Sequence, residues 1–292
     1  MTEIIGIVGL GVMGGAIIRN IVASQRKAVG FDIDIRRIKE ATDDGLDVEA
    51  SLAALAERAT VLITSLPNPK AVLAVATAIA ASNAKRLTVI EASTLALEDK
   101  FEFQRILSEA GHNALDCTLS GTGAQAKVGD LAVYASGDRD MVESLRPLFS
   151  SFTRKVSYVG AYGNGSKMKY VANLLVAIHN VSTAEAMVLG MKSGLDPHDL
   201  VDLVSTGAGN SRMFEMRAPL MANNKYQPAQ SSIAMWQKDL SVISDYVNKI
   251  GCAAPLFAAS MPLYAAAFAN GHLEDDAASI CEVLEAMSGI KR

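Results

Sequence analysis

An α/β domain built on a doubly wound, mostly parallel sheet, followed by an all-α domain, is predicted by three observations. Short apolar runs alternate with helical stretches through the first half of the chain, and apolar residues recur only at helical spacing in the second. Between the first apolar run and the first helical stretch stands Gly9-Leu10-Gly11-Val12-Met13-Gly14. The 292 residues suit two domains at roughly 100–200 residues each, divided as 1–162 and 163–292.

Taken in order, Ile4-Ile5-Gly6-Ile7-Val8 reads as a buried strand, Ala16, Ile17 and Ile21 share one helix face, and Lys27–Phe31 is a second strand ending in Asp32. Val61-Leu62-Ile63, Leu87-Thr88-Val89-Ile90, His112-Asn113-Ala114-Leu115-Asp116 and Leu131-Ala132-Val133-Tyr134-Ala135 are further strands, each bounded by Ser, Pro or Gly. Ligands of such sheets bind beyond the strand carboxyl ends. The loops to watch are therefore Ser65-Leu66-Pro67-Asn68-Pro69, Ala92-Ser93-Thr94 and Thr118-Leu119-Ser120-Gly121.

From residue 166 to 190 one long helix is expected, stopped by Lys192-Ser193-Gly194. Asp196-Pro197 opens another, with Leu200, Leu203 and Val204 on one face, and Leu240, Ile243, Val247 and Ile250 mark a third. The apolar stretch 253–269 is broken by Pro255, Ser260 and Pro262 and falls short of the about 20 residues a spanning helix needs, so it reads as a buried helix and no membrane partner is expected.

Half the residues are hydrophobic and a fifth charged, with a net charge of −4: enough to bury a core, and without a basic tract that would mark a nucleic-acid footprint. Cys117, Cys252 and Cys281 lie far apart with no CxxC and no histidine at ligand spacing. They read as reduced, mostly buried thiols of a cytoplasmic protein, and argue against zinc. The first apolar run has no basic segment before it and serves as the first strand, so it does not read as a signal peptide.

The glycine run sits between strand and helix, where a dinucleotide's pyrophosphate binds. Gly9 permits the tight turn, Gly11 lets the backbone approach the phosphates, and Gly14 lets helix and strand pack closely, with Leu10, Val12 and Met13 in the same turn. Asp32 stands where both ribose hydroxyls are bound, which favours NAD over NADP because a carboxylate repels a 2′-phosphate. Arg36 and Arg37 lie close enough in sequence to attract one. At the junction of the two domains, in the helix that opens the second, Lys169 and Asn173 are four apart on one helix face. That spacing is common on solvated helices, but here the flanking Val171, Ala172, Leu174, Leu175 and Val176 are apolar enough to be buried.

These motifs together resemble the β-hydroxyacid dehydrogenase family, which includes 3-hydroxyisobutyrate dehydrogenases, tartronate semialdehyde reductases and glyoxylate reductases. The resemblance covers essentially the whole chain. Residues 8–15 resemble its N-terminal signature, Leu66-Pro67 and Ser93-Thr94 its LP and ST loops, residues 116–121 its substrate loop, residues 163–173 its catalytic helix start, and Lys238-Asp239-Leu240 its C-terminal motif. It implies a hydride transfer between nicotinamide and a small 3-hydroxy acid, aldonate or semialdehyde. Lys169 would be general acid and base, its pKa lowered by burial or by Lys238. Ser120, Gly121, Thr122, Asn173 and Lys238 would hold substrate, and Leu66, Pro67, Thr94, Lys238 and Asp239 would join the glycine turn and Asp32 around the cofactor. A homodimer or homotetramer is the family's usual assembly.

The chain departs from the family pattern at three places. Thr122 stands where a second glycine is usual, costing backbone freedom and adding a hydroxyl near the substrate carboxylate. Ser231 replaces an aromatic residue eight positions before Asp239, and residues 210–217 lack the aromatic pattern of hydroxyisobutyrate enzymes. The segment looks more like the branch acting on polyhydroxylated acids such as threonate. Arg212 and Arg217 either meet a second polar substrate group or form ordinary helix salt bridges. An imine reductase, which usually lacks the lysine, and a catalytically silent NAD-binding scaffold are the competing readings.

Overall fold

A computed structural model describes residues 3–292. The first half runs β1 (Ile4–Val8), α1 (Val12–Ala23), β2 (Lys27–Phe31), α2 (Ile35–Asp43), β3 (Asp47–Val48), α3 (Leu52–Arg58), β4 (Val61–Thr64), α4 (Pro69–Ala80), β5 (Thr88–Glu91) and α5 (Leu97–Glu109). It continues with β6 (Asn113–Ser120), α6 (Gly123–Lys127), β7 (Leu131–Ser136), α7 (Arg139–Ser144), α8 (Arg146–Phe149) and β8 (Thr153–Tyr158). Then come only helices: α9 (Asn164–Lys192), α10 (Pro197–Ser205), α11 (Arg212–Ala222), α12 (Ile233–Lys249), α13 (Pro255–Ala269), a 3₁₀ turn (Ala277–Ser279) and α14 (Ile280–Met287). By contacts the chain forms two units, the first ending at Lys169 and the second being Tyr170–Arg292.

In the first unit the eight strands form one sheet in the order β3-β2-β1-β4-β5-β6-β7-β8. All pairings are parallel except β6 with β7. The alternation of side chains along each strand feeds two cores. Ile5, Ile7, Val61, Ile63 and Ile90 pack with Ile17, Ile18 and Ile21 of α1 on one side. Val8, Leu62 and Val89 pack with Leu55, Val72, Ile79 and Phe103 of α3, α4 and α5 on the other.

Sequence and structure part at three points in this unit. Residues Thr118, Leu119 and Ser120, expected as a loop, extend β6 because β7 returns antiparallel and pairs them with Tyr134, Val133 and Ala132. Strand β3 has only two residues, too few to show a period. Strand β8, at the sheet edge, exposes Arg154 and Lys155 and so lacks an apolar run; edge strands bear such charges because they block further pairing.

The second unit has its own polar centre. The Asn180 amide donates to Tyr264 Oη (3.2 Å) and to the Ala277 carbonyl (2.9 Å), and Tyr264 donates to the Ala177 carbonyl (3.1 Å). Among the described residues α9 is the one helix long and apolar enough to cross a membrane by length and composition. It is instead a core helix: Ala177, Asn180, Val181, Thr183, Ala184 and Met187 are buried. Helix α13 buries only a stripe, Phe257, Ser260, Tyr264 and Ala267, while Leu256 and Phe268 are exposed. Apolar residues on every side of a helix predict a buried one, but the neighbours of α13 cover one side. No residue of α10 is buried, and Leu203 points to solvent.

Candidate active site

One row of paired residues crosses the sheet: Phe31, Val8, Thr64 and Glu91, which end β2, β1, β4 and β5, then Asp116 midway along β6 and Ser136 at the end of the antiparallel β7. The glycine turn, Asp32, Leu66-Pro67 and Ser93-Thr94 all begin one or two residues beyond it. That follows from sheet register alone, and it is where doubly wound folds bind ligands.

The turn's three glycines have distinct reasons. Gly9 has φ +92°, and a Cβ on it would stand 2.3 Å from the Ser65 carbonyl oxygen. A Cβ on Gly14 would stand 1.8 Å from the Gly9 carbonyl oxygen. At Gly11 a Cβ would meet nothing within 4 Å, and Gly11 caps α1 with no side-chain hydrogen bond. A compact turn, an open approach at Gly11 and a helix start left for a ligand together fit a dinucleotide pyrophosphate.

Asp32 is half-buried and tied to that turn: its Oδ2 accepts from the Leu10 N–H at 2.7 Å and its Oδ1 from the Asp34 N–H at 2.8 Å. The two neighbouring arginines are occupied. Arg36 grips Asp34 through Nε (3.0 Å) and Nη2 (2.7 Å), holding the Asp34 carboxyl down at about 2, and Arg37 pairs with Glu40 at 3.0 Å. Leu66 donates its N–H to Ser93 Oγ at 2.9 Å, so the two loops are joined. Thr94 is half-buried and Pro67 exposed.

Ser120 closes β6, and Gly121 follows with φ +144°, where a Cβ would press on Leu131 at 2.6 Å. Thr122 is the N-cap of α6. With φ −92° it needs no glycine, and its hydroxyl caps α6 in a capping box with Gln125, so its oxygen serves the backbone. Lys169, half-buried, stands in the second turn of α9.

In the second unit, Asn173 is buried and donates Nδ2 to Asp239 Oδ2 at 2.9 Å. Asp239 also pairs with Lys238 Nζ at 3.1 Å. The amide oxygen of Asn173 is thereby left as its acceptor. The apolar flank expected to be buried is not: Val171 and Leu175 are exposed and Ala172, Leu174 and Val176 only half-buried. Of the two arginines of α11, Arg212 is exposed beside Glu215 at 3.4 Å, and Arg217 is buried in an ion pair with Asp276. Arg212 follows the helix salt-bridge reading, whereas the partner of Arg217 lies outside its helix. Two cysteines are buried, and Cys252 is exposed.

Sequence reading missed the buried ionic cluster beneath the loops, in which Lys100 of α5 pairs with both Glu91 and Asp116. The signal was present: Glu91 ends a strand that is otherwise apolar, and a buried carboxylate requires a partner.

Comparisons with known proteins cover both halves of the chain. Residues 4–160 match the NAD binding domain of 6-phosphogluconate dehydrogenase, and residues 163–284 match the NAD-binding domain of NADP-dependent 3-hydroxyisobutyrate dehydrogenase. An L-threonate dehydrogenase of Cupriavidus necator is 32% identical over 285 residues, 96% of each chain. The solved structure of a Mycobacterium tuberculosis 3-hydroxyisobutyrate dehydrogenase with L-serine superposes with a TM-score of 0.88 at 29% identity, covering 97% of this chain and 99% of that one. An imine reductase from Pseudomonas sp. shares the fold, with a TM-score of 0.63 at 15% identity over 97% of this chain and 100% of that one. The sheet, the glycine turn and the full-length likeness lead to one assignment: the chain belongs to the β-hydroxyacid dehydrogenase family of NAD(P)-dependent oxidoreductases.

Proposed function

We propose that this chain oxidises small 3-hydroxy acids of the polyhydroxylated, threonate-like kind and reduces the matching semialdehydes, with NAD preferred over NADP. Residues 1–162 are assigned to the dinucleotide and 163–292 to substrate and subunit association as a homodimer or homotetramer. The cytoplasm is the compartment that suits three unpaired thiols.

When bound, the nicotinamide supplies the acceptor for the hydride leaving the carbinol carbon. Lys169 does the proton work: its neutral amine takes the hydroxyl proton during oxidation, and its ammonium returns one during reduction. Ser120 Oγ and the Gly121 N–H receive the substrate carboxylate, and Thr122 shapes that loop by capping α6. Asn173, its amide fixed by Asp239, offers a carbonyl oxygen to a hydroxyl or ammonium, and Lys238 adds positive charge for an anionic substrate. Gly9, Leu10, Gly11, Val12, Met13 and Gly14 hold the pyrophosphate. Leu66, Pro67 and Thr94 line the nicotinamide side, with Lys238 and Asp239 completing the cofactor set. Asp32 holds the adenosine ribose. The occupied state of Arg36 and Arg37 supports the NAD preference, because neither guanidinium is free of a carboxylate.

The observation that carries the reading is the seat of Lys169, half-buried three residues past Ser166, whose backbone and hydroxyl are fastened to Asp116 in the row that crosses the sheet. NADH formation at alkaline pH over a panel of L-threonate, 3-hydroxyisobutyrate and a cyclic imine tests it. Lys169→Ala is expected to lower kcat on the acid that is turned over by about 10²- to 10⁴-fold and to leave NAD affinity nearly unchanged. Near-normal turnover by that variant would remove Lys169 from the chemistry, and turnover of the imine alone would move the enzyme to another class.

A further inference from the structure

Beneath the cofactor loops lies a fully buried ionic and hydroxyl network that the proposed chemistry does not use. Thr64, Glu91, Asp116 and Ser136 occupy one transverse row of the sheet and are each 0% exposed. Residues of one row share a face, and that face is the one α5 covers. From α5 the Lys100 ammonium, also 0% exposed, reaches Glu91 and, at 3.0 Å, Asp116 Oδ1.

Each anion then holds a different functional segment. Glu91 Oε1 accepts from the Ser93 N–H (2.9 Å), and Ser93 Oγ accepts from the Leu66 N–H (2.9 Å), so one carboxylate anchors both loops on the nicotinamide side. Asp116 accepts from the Ser166 N–H (2.7 Å) and the Ser166 hydroxyl (2.9 Å) in the first turn of α9. Ser136 Oγ accepts from the Gly165 N–H (2.9 Å), and Thr118 Oγ1 donates to the Gly165 carbonyl (2.8 Å). That turn also packs directly on the strands, since a Cβ at Gly165 would stand 2.5 Å from the Asp116 carbonyl oxygen and 2.6 Å from that of Tyr134. A helix start gripped at two successive residues by three side chains of the sheet has little freedom to shift, and Lys169 follows within one turn.

We propose that Lys100 is a positioning residue: by bridging Glu91 to Asp116 it locks the loops at residues 65–67 and 92–94 to the first turn of α9, and so fixes where the Lys169 amine stands relative to the nicotinamide. The proposal rests on the role given to Lys169 above. Its geometry has a clear alternative, that the cluster merely balances charge in the core, and one variant separates the two. Lys100→Met leaves two buried carboxylates without a cation and is expected to fold poorly. Lys100→Met/Glu91→Gln removes one charge of each sign, keeps the volume and leaves Asp116 on the α9 N-terminus. A balancing role predicts that this double variant recovers, relative to Lys100→Met, both stability and catalysis; a bridging role predicts that it recovers part of the stability alone, since Asp116 keeps its Ser166 hydrogen bonds but no cation.

The test compares the double variant and Ser166→Ala with the unaltered protein by three readouts: amide hydrogen exchange, NAD affinity by equilibrium dialysis, and kcat and KM on L-threonate. A bridge predicts faster exchange confined to residues 65–66, 92–94 and 163–170, NAD affinity within a few-fold, KM little changed, and kcat lower by about 10- to 100-fold, the cost of displacing a reacting group by about 1 Å. Unchanged exchange in those segments of the double variant, or a kcat equal to that of the unaltered protein, overturns the proposal. If the unaltered protein turns over none of the acids, the functional reading falls, and the exchange measurement decides the bridge by itself.

Discussion

Within the glycine turn, the same substitution tests two different physical demands. At Gly14 an added Cβ meets the Gly9 carbonyl oxygen at 1.8 Å, a contact with backbone that no rotamer relieves. Gly14→Ala is therefore expected to destabilise the first unit by about 3 kcal/mol, the upper end for overpacking, seen as a lower urea midpoint without cofactor. At Gly11 the added methyl meets open space, so Gly11→Ala keeps the apo midpoint and instead weakens NAD binding, by about tenfold or more if the phosphates approach there, which is about 1.4 kcal/mol. Equal NAD affinity of Gly11→Ala and the unaltered protein would move the pyrophosphate away from this turn. Their order in the sequence made these positions legible, because a backbone constraint leaves glycine as its mark. Thr122 was legible only as a departure: whether its hydroxyl faces a ligand or caps a helix depends on Gln125 folding back, a three-residue geometry that spacing alone does not select.

Helices and strands divide along a similar line. Strands β1, β2, β4 and β5 were readable because each is buried on both faces and bounded by turn residues. The carboxyl half of β6 was not, since its pairing depends on a partner that returns only after α6. Helix α11 shows an arginine in a structural role. Arg217 is buried against Asp276, whose Oδ2 also accepts from the Gln230 N–H (2.9 Å) and the Ser231 N–H (3.3 Å) and whose Oδ1 accepts from the Ala278 N–H (3.0 Å). The pair thus joins α11, the segment before α12 and the 3₁₀ turn. Arg217→Met is expected to cost about 3–5 kcal/mol by leaving a buried carboxylate without its cation, while NAD affinity stays the same. A kcat loss without a fall in the denaturation midpoint would return Arg217 to the substrate.

Across the whole molecule, the alkaline limit of stability is where the buried groups can be told apart. Burial opposes the Lys100 ammonium, but the carboxylates of Asp116 and Glu91 outweigh it and raise its pKa above the ordinary 10.5. A cation whose pKa is higher when folded stabilises fully below 10.5 and loses that contribution as pH climbs through the raised value. Other buried acids also lose stability in alkali. Burial first of all pushes the Cys117 thiol and the Tyr162 phenol upward, and Cys281 up to about 12. These groups ionise only after unfolding, so they lower stability as pH rises through their unfolded values. They are present in both the unaltered protein and Lys100→Met/Glu91→Gln, so subtracting the two stability curves removes most of their effect. The difference in unfolding free energy, from urea titrations at a series of pH values, is expected to stay level from about pH 7 to pH 10 and to shrink in favour of the double variant above about 10.5. A difference that shrinks already near pH 8 would mean that Lys100 is not held as a cation between the two carboxylates, and the bridge between the loops and α9 would lose its central charge.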